Sequence, residues 1–134
     1  MEEQFQQDAV VFDDSKTNLL KFDMPIGRKR YFVFSFIIGS IILALGILVK
    51  YLELANALIP LVFIAIFFIL ASLVYLSVIN DAKRFWDLSE QKHKGLIFAI
   101  SLFLLNVALL FTGLKLLTFV LYLCLILVRG KLVK

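Results

Sequence analysis

Long apolar stretches, separated by short clusters of charge, dominate this sequence. Residues 31–49, 54–79 and 96–128 contain one charged side chain in total, Lys115. A helix of about 20 apolar residues crosses the hydrocarbon core of a bilayer. In a chain of 134 residues that is 62% hydrophobic, a soluble fold has too little interior to cover so much apolar surface. The pattern therefore predicts an all-α, polytopic membrane protein of one domain.

The last apolar stretch decides the number of spans. At about 33 residues it is too long for one ordinary span and short for two. Gly113 permits a turn and Lys115 is costly at mid-membrane, which favours a hairpin. The predicted spans are 31–49, 58–79, 96–111 and 116–128, arranged as two hairpins. The fourth is short, so it needs snorkelling by Lys115 and Arg129 or a locally thinner bilayer. The alternative is a single tilted third helix.

The positions of the basic residues predict the orientation. Basic flanks of membrane spans are retained in the cytoplasm. In a four-span chain only Lys50 and Lys115 fall on the outer side. The residues on the inner side are Arg28, Lys29, Arg30, Lys83, Arg84, Lys92, Lys94, Arg129, Lys131 and Lys134. We therefore predict that both termini and a loop at residues 80–95 are cytoplasmic. Three spans would place the basic C-terminal tail outside.

The first 25 residues differ from the remainder, residues 26–134, which we predict to be a single four-helix membrane domain. They are polar and rich in Asp and Glu, and we predict a cytoplasmic tail. Such a composition is typical of a loosely ordered segment. The alternative is a short helix at the membrane surface, capped by Asp14 or Ser15.

Small side chains at helical spacing identify candidate helix contacts. Inside lipid, close packing of small residues and occasional polar bonds hold helices together. Asn106 is the only strongly polar side chain deep in a predicted span, and we expect an interhelical hydrogen bond there, with a pore or ligand role as the alternative. The candidate packing residues are Ser35, Gly39, Gly46, Ala65, Ser72, Gly95, Ala99 and Asn106. The Phe-rich and Leu-rich faces are expected to meet lipid.

Residues capable of catalysis are sparse. With four spans, no ionisable side chain lies mid-span, where ion coupling or membrane catalysis would require one. His93 lies between two lysines, a poor start for a metal site. Cys124 lies among apolar neighbours that disfavour a thiolate. We therefore predict no enzyme, no catalytic residue, no metal and no cofactor. Because the basic residues flank spans, the net charge of +4 indicates anionic lipid and not nucleic acid.

The segment after the second predicted span combines cations, an acid and aromatic rings. If the second helix continues past residue 79, Lys83 and Arg84 lie close enough to Asp87 for an ion pair on one face. Trp86 suits the headgroup level of a bilayer. We predict a collar that contacts anionic lipid or a protein partner, with its cations as phosphate donors. The collar residues are Arg28, Arg30, Lys83, Arg84, Trp86 and Asp87. The alternative is an interfacial anchor without a ligand.

Two short motifs carry a family resemblance. Ile26-Gly27-Arg28-Lys29-Arg30-Tyr31-Phe32 is similar to the Gly-Arg-x-x-Arg-Tyr/Phe-Trp/Phe start of helix one in the small bacterial inner-membrane proteins of domain-of-unknown-function family 805. Lys83-Arg84-Phe85-Trp86-Asp87 resembles that family's Arg-Arg-Leu-His-Asp motif, with Trp86 in place of the histidine. The family's Gly-Lys-Ser-Gly turn is absent. The resemblance implies a four-helix domain of the bacterial inner membrane and no established activity.

These observations favour a non-enzymatic function. The leading hypothesis is a structural or accessory membrane subunit whose collar contacts membrane lipids or a protein partner. The alternative is a small transporter or channel formed by several copies of the chain, because four spans alone enclose little space. Asn106 and the small-residue faces would then line the path.

Overall fold

The chain folds into four α-helices. The computed structural model describes residues 12–18, 20–56 and 59–133. A short 3-10 helix at Asp14–Lys16 precedes α1 (Arg28–Leu54), α2 (Pro60–Ser89), α3 (Lys92–Thr112) and α4 (Lys115–Leu127). These ranges contain no β-strand, and one isolated β-bridge joins Phe12 to Val133. The all-α prediction is therefore confirmed for the described residues.

The four helices differ in their capacity to cross a bilayer. Within the described chain, α1, α2 and α3 are long and apolar enough to span a membrane. α4 is apolar but has 13 residues, so it is about 20 Å long at 1.5 Å per residue. A hydrocarbon core is about 30 Å thick. The helix predicted as the fourth span therefore exists, and it is shorter than an ordinary span.

The helix boundaries follow from local chemistry. Pro60 occupies the first turn of α2, where its missing N–H removes no helical hydrogen bond. Gly113 has a φ of 74° and ends α3, which is the left-handed conformation that glycine adopts without strain. Glu90 ends α2 with a φ of 61°. The predicted turn at Gly113 is thus present.

The predicted loop at residues 80–95 is wrong for most of its length. α2 continues through residues 80–89, and α3 begins at Lys92. Only the two residues 90 and 91 connect the helices. Charge clusters are typical of loops, but here the charged side chains of residues 81–87 lie inside the protein, where helical backbone leaves no unpaired N–H or C=O group.

The helices pack in a ring in chain order, with α1 against α2, α2 against α3, α3 against α4, and α4 against α1. The α2–α3 contact is the most extensive. The predicted hairpins pair α1 with α2 and α3 with α4, so neither of them is the most closely packed pair. Gly95 explains this approach: a Cβ there would lie 2.7 Å from the carbonyl oxygen of Ala82 and from the backbone nitrogen of Trp86.

Buried residues concentrate at one end of the bundle. Between Pro60 and residue 78, α2 buries only Ile66 and Leu73, whereas Ile79–Arg84, Trp86 and Asp87 are all buried. The remaining helical surface consists largely of exposed Phe, Leu, Ile and Val side chains. In water such a surface would be strongly unfavourable. A lipid environment removes that cost.

Candidate functional site at the polar end

The candidate site is the end of the bundle where α1 and α3 begin and α2 and α4 end. We call it the polar end; it also includes residues 12–18, 20–27 and 128–133. Tyr31, in the first turn of α1, donates a hydrogen bond to Asp81 near the end of α2 (2.9 Å). Nε of Arg84 donates to the carbonyl oxygen of Leu125 in the last turn of α4 (2.9 Å). The helices therefore alternate in direction.

A hydrogen-bonded network around Asp81 joins all four helices. One carboxylate oxygen accepts the hydroxyl of Tyr31, and the other accepts the hydroxyl of Tyr122 in α4 (3.3 Å). The Tyr122 oxygen in turn accepts a hydrogen bond from Nδ2 of Asn106 in α3 (3.1 Å). Asp81 is 3% exposed, and buried polar groups of this kind need such partners. Asn106 thus makes the interhelical bond expected for it.

Arg84 is a second buried centre, with none of its side chain exposed. Its guanidinium donates to Asp87 (2.5 Å) and to the carbonyl oxygens of Leu125 and Val128. The last carbonyls of a helix have no partner within the helix and carry partial negative charge. Arg84 therefore caps the C-terminal end of α4 and fixes it to α2.

Asp87 holds the segment that follows α4. Its carboxylate accepts the backbone N–H groups of Leu132 and Val133, both at 2.9 Å, in addition to Arg84. Gly130 passes directly over this carboxylate, and a Cβ on Gly130 would lie 1.5 Å from Oδ2 of Asp87. The segment can therefore lie here only because residue 130 has no side chain.

Lys83 and Trp86 hold the segment that precedes α1. The Lys83 ammonium, 1% exposed, donates to the hydroxyl of Thr17 and to the carbonyl oxygen of Asn18. The Trp86 ring packs edge-on against Phe12 and Phe22, with centroids 6.0 and 5.3 Å apart.

The two terminal segments also bind each other. The Phe12 N–H donates to the carbonyl oxygen of Leu132 (2.9 Å). Residues 12–18 therefore have defined partners on the α2 end and on the C-terminal segment. The short 3-10 helix there is capped by the side chain of Asp13, one residue before the predicted cap. The first 11 residues of the predicted tail lie outside the described residues.

The collar was predicted to lie on the surface, and most of its six residues do not. Lys83, Arg84, Trp86 and Asp87 are buried and bind the chain itself. Arg28 is exposed. Arg30 is partly exposed and pairs with Asp14 at 3.4 Å.

The structure also shows which ion pair forms within the collar. Of the two pairs considered for Asp87, the pair with Arg84 forms; Lys83 instead binds the N-terminal segment. Both cations therefore donate to groups of the protein itself, and their burial keeps them away from a phosphate in solvent or lipid.

The candidate packing residues divide into two groups. Ser35 accepts a hydrogen bond from Asn80 of α2 (2.9 Å), and Ala99 is fully buried. Together with Gly95 and Asn106, they lie at helix contacts. The other four are exposed: Gly39, Gly46, Ala65 and Ser72. A Cβ at Gly39 or Gly46 would meet nothing within 4 Å. These four residues do not hold the helices of one chain together.

A cavity of about 730 Å³ opens beside the start of α1. It lies between the N-terminal and C-terminal segments. Its lining residues are Asp14, Gly27, Arg28, Lys29, Arg30, Asp87, Arg129, Gly130, Lys131 and Val133. Five of them are cations and two are acids. In the part of the chain that the structure describes, Arg28, Lys29 and Arg129 form no ion pair with a carboxylate. These cations of the cavity are therefore available to bind a ligand.

Groups typical of metal sites do not cluster here. Among the described residues, no three His, Cys, Asp or Glu side chains converge in a way that would hold a metal ion. His93 is exposed in the first turn of α3, and Cys124 is exposed on α4.

Sequence reasoning missed Asp81 and Gly130. Asp81 stands at the edge of a charged segment and resembles an ordinary helix flank. Tyr31 at the start of the first predicted span and Tyr122 within the fourth were the available signals, because a tyrosine hydroxyl in an apolar segment needs a hydrogen-bond partner. Gly130, a lone glycine among cations, showed no pattern.

The long apolar helices and their exposed apolar surface define a class: this is a multi-pass helical membrane protein. No family model, curated protein or solved structure matches the chain. The resemblance to family 805 therefore stays a prediction. Its two motifs meet at the polar end, where the Ile26 N–H donates to the carbonyl oxygen of Lys83 (3.3 Å).

Proposed function

We propose that this chain is a non-enzymatic, four-span protein of the bacterial cytoplasmic membrane that serves as a structural or accessory subunit, with both termini in the cytoplasm. The observation that carries the proposal is the contact between the two terminal segments. Phe12 and Leu132 share a backbone hydrogen bond, and Asp87 binds the segment after α4. Segments that bind each other directly lie on the same side of a bilayer.

Parity then supports the fourth span. α1, α2 and α3 are each able to cross a bilayer, and three crossings would separate the terminal segments. A return through α4 restores them to one side. Because α4 is about 10 Å shorter than a hydrocarbon core, the bilayer beside it would be thin, or Lys115 would extend toward the outer headgroups.

Charge supports the orientation. The polar end carries exposed Arg28, Lys29, Arg129 and Lys131, whereas the opposite end carries Lys50 and Lys115. Under the positive-inside rule, the polar end is cytoplasmic. These exposed cations replace the buried part of the predicted collar as the groups that contact anionic lipid. Anionic headgroups attract each such cation by about 1 kcal/mol.

The way in which the polar groups are bonded supports the proposed accessory role. Asp81, Arg84 and Asp87 make hydrogen bonds that join helices to one another and to the terminal segments. No nucleophile beside a general base was found among them. The buried polar groups thus organise one end of the bundle, while the lipid-facing surface and the basic face remain free for a protein partner.

Cysteine accessibility tests the topology. In a Cys124→Ala background, single cysteines replace Gln91 or Lys131 at the polar end and Lys50 or Lys115 at the opposite end. An impermeant maleimide added to intact cells should label the latter two, and Gln91→Cys and Lys131→Cys only after the membrane is opened. Labelling of Lys131→Cys in intact cells, from the same side as Lys115→Cys, would contradict four spans.

Purification from native membranes tests the accessory role. We expect a protein partner in fixed ratio, together with anionic lipid, and we expect the triple variant of Arg28, Lys29 and Arg30 to glutamine to lose one or both. A control variant that removes two charges at the opposite end, Lys50→Gln with Lys115→Gln, should retain them. Equal retention by both variants would contradict the proposal.

A second candidate function, a transporter or channel built from several copies, is favoured by one observation. Gly39 and Gly46 form an open small-residue face on α1, and small residues let transmembrane helices approach closely. Cysteines at these positions should form disulfides between copies in the membrane, and liposomes with the protein should become permeable to ions. Impermeable liposomes would remove this candidate.

A further inference from the structure

We propose that the cavity beside the start of α1 binds the phosphate group of an anionic ligand, supplied by a phospholipid headgroup or by a soluble phosphate compound. The inference rests on the proposed function in one respect, the placement of this cavity at the cytoplasmic membrane surface. It adds a defined site and a ligand chemistry. The volume of about 730 Å³ falls within the range of about 300–1,000 Å³ typical of small-ligand sites.

The first argument is the charge that remains after the internal pairs form. Both acids in the cavity wall are already engaged. Asp87 binds Arg84 and two backbone N–H groups, and Asp14 binds Arg30 and the Gly27 N–H. Lys131 pairs with Glu90 at 3.4 Å, in an exposed position. Among the residues that the structure describes, three cations of the cavity have no carboxylate partner: Arg28, Lys29 and Arg129. Such a concentration of like charge is unfavourable until an anion enters.

The second argument is an internal anion that already occupies part of the site. The carboxylate of Asp14 accepts the Gly27 N–H at 3.0 Å and lies 3.4 Å from Nε of Arg30. It therefore stands where α1 begins, although it comes from a separate segment of the chain. The first turn of α1 contains no acid, and Gly27 provides no side-chain cap. Unpaired N–H groups of a first helical turn favour oxyanions.

The third argument selects phosphate among anions. A carboxylate has two oxygens, and Asp14 already supplies one carboxylate here. A phosphate presents several oxygens in different directions, so it can accept from Arg28, Lys29 and Arg129 at once. Guanidinium groups bind phosphate in a bidentate manner. Lipid headgroups and soluble phosphate esters share this chemistry.

Binding measurements on the purified full-length protein in neutral detergent test the site. Native mass spectrometry measures retention of short-chain phosphatidylglycerol against phosphatidylcholine, and calorimetry measures inorganic pyrophosphate. The site variant is Lys29→Gln with Arg129→Gln. The matched control, Lys50→Gln with Lys115→Gln, removes the same charge at the opposite end. We expect the site variant to lose affinity about tenfold or more, the effect of one lost charge-assisted hydrogen bond, and the control to change less than about twofold.

The variant Asp14→Asn should change the affinity for the ligand in the opposite direction. Removing the internal negative charge should tighten binding, because the ligand no longer competes with a carboxylate for Arg30 and the start of α1. A variant that merely weakened the fold would not bind more tightly.

Each result decides the proposal. Binding of phosphatidylglycerol alone assigns a lipid site, and binding of pyrophosphate alone assigns a soluble ligand. Equal affinity for phosphatidylcholine, equal losses in the site and control variants, or no binding would overturn the inference. The cysteine-labelling experiment described above separates the two proposals. Correct topology without binding removes only this inference, and binding with three-span labelling removes only the proposed topology.

Discussion

The two ends of α2 show opposite relations between polarity and burial. From Pro60 through residue 78 the helix is apolar and mostly exposed, whereas residues 79–87 include three of its charged side chains in fully buried positions. In a soluble protein the pattern would be the reverse. Each part of α2 therefore lies in the surroundings that its side chains require. The apolar part faces lipid, and the polar part is bonded to other groups of the protein.

This division predicts where the stability of the fold resides. Lipid is as apolar as leucine, so the exposed part of α2 gains little by packing against other helices. At the polar end, each buried charge or polar group would be unfavourable without its partner. Substitutions at the polar end should therefore lower the free energy of unfolding much more than similar substitutions elsewhere.

Asp87→Ala tests the ion pair at the polar end. It leaves Arg84 buried without a counter-charge and two N–H groups without an acceptor, so the free energy of unfolding should fall by about 3–5 kcal/mol. Reversible unfolding in mixed detergent measures it. The control is Glu53→Ala, an exposed acid at the opposite end, which should change stability by less than about 0.5 kcal/mol. Similar values for both variants would remove the distinction between the ends.

Gly95→Ala tests the close approach of α2 and α3. The added methyl group would meet backbone atoms of Ala82 and Trp86 at 2.7 Å, so the helices must separate, at a cost of about 1–3 kcal/mol. Gly39→Ala is the matched control, because its methyl group meets nothing. Alanine favours helix by up to about 1 kcal/mol, so this control should stabilise. The same unfolding assay applies, and destabilisation by both would show that α1 has a partner on its open face.

Tyr31→Phe tests the network around Asp81. It removes one hydroxyl that donates to a buried carboxylate, and we expect a loss of about 1–2 kcal/mol. Tyr51→Phe, at an exposed position in the last turn of α1, should have almost no effect. A thermal shift series in detergent compares the two. If Tyr31→Phe and Tyr51→Phe had the same effect on stability, the hydrogen bond to Asp81 would contribute nothing to it.

Ser72→Ala tests the exposed part of α2. Its hydroxyl donates to the carbonyl oxygen of Phe68 in the same helix (2.9 Å), so the loss should stay within about 0.5 kcal/mol. Unfolding should be measured at two protein concentrations. A larger loss that depends on concentration would place Ser72 at a contact between copies and would contradict a purely lipid-facing surface.

The sequence predicted the helices better than the site. Apolar length, the proline at 60 and the glycine at 113 identified where helices begin and turn, because these are local effects. The polar end depends on contacts between residues far apart in the chain. Lys83 reaches Thr17, and Arg84 reaches Leu125. No local periodicity reveals such pairs, and the cluster was therefore predicted as an exposed collar. The Arg84–Asp87 pair, three residues apart, was the local exception.

The segment after α4 also has a consequence for biosynthesis. Ribosomes deliver a chain from its N terminus, so residues 128–133 emerge only after all four helices have been made. Until then Asp87 lacks two of its donors and Arg84 lacks its acceptors on α4. The polar end is therefore completed only after the segment that follows α4 has been synthesised.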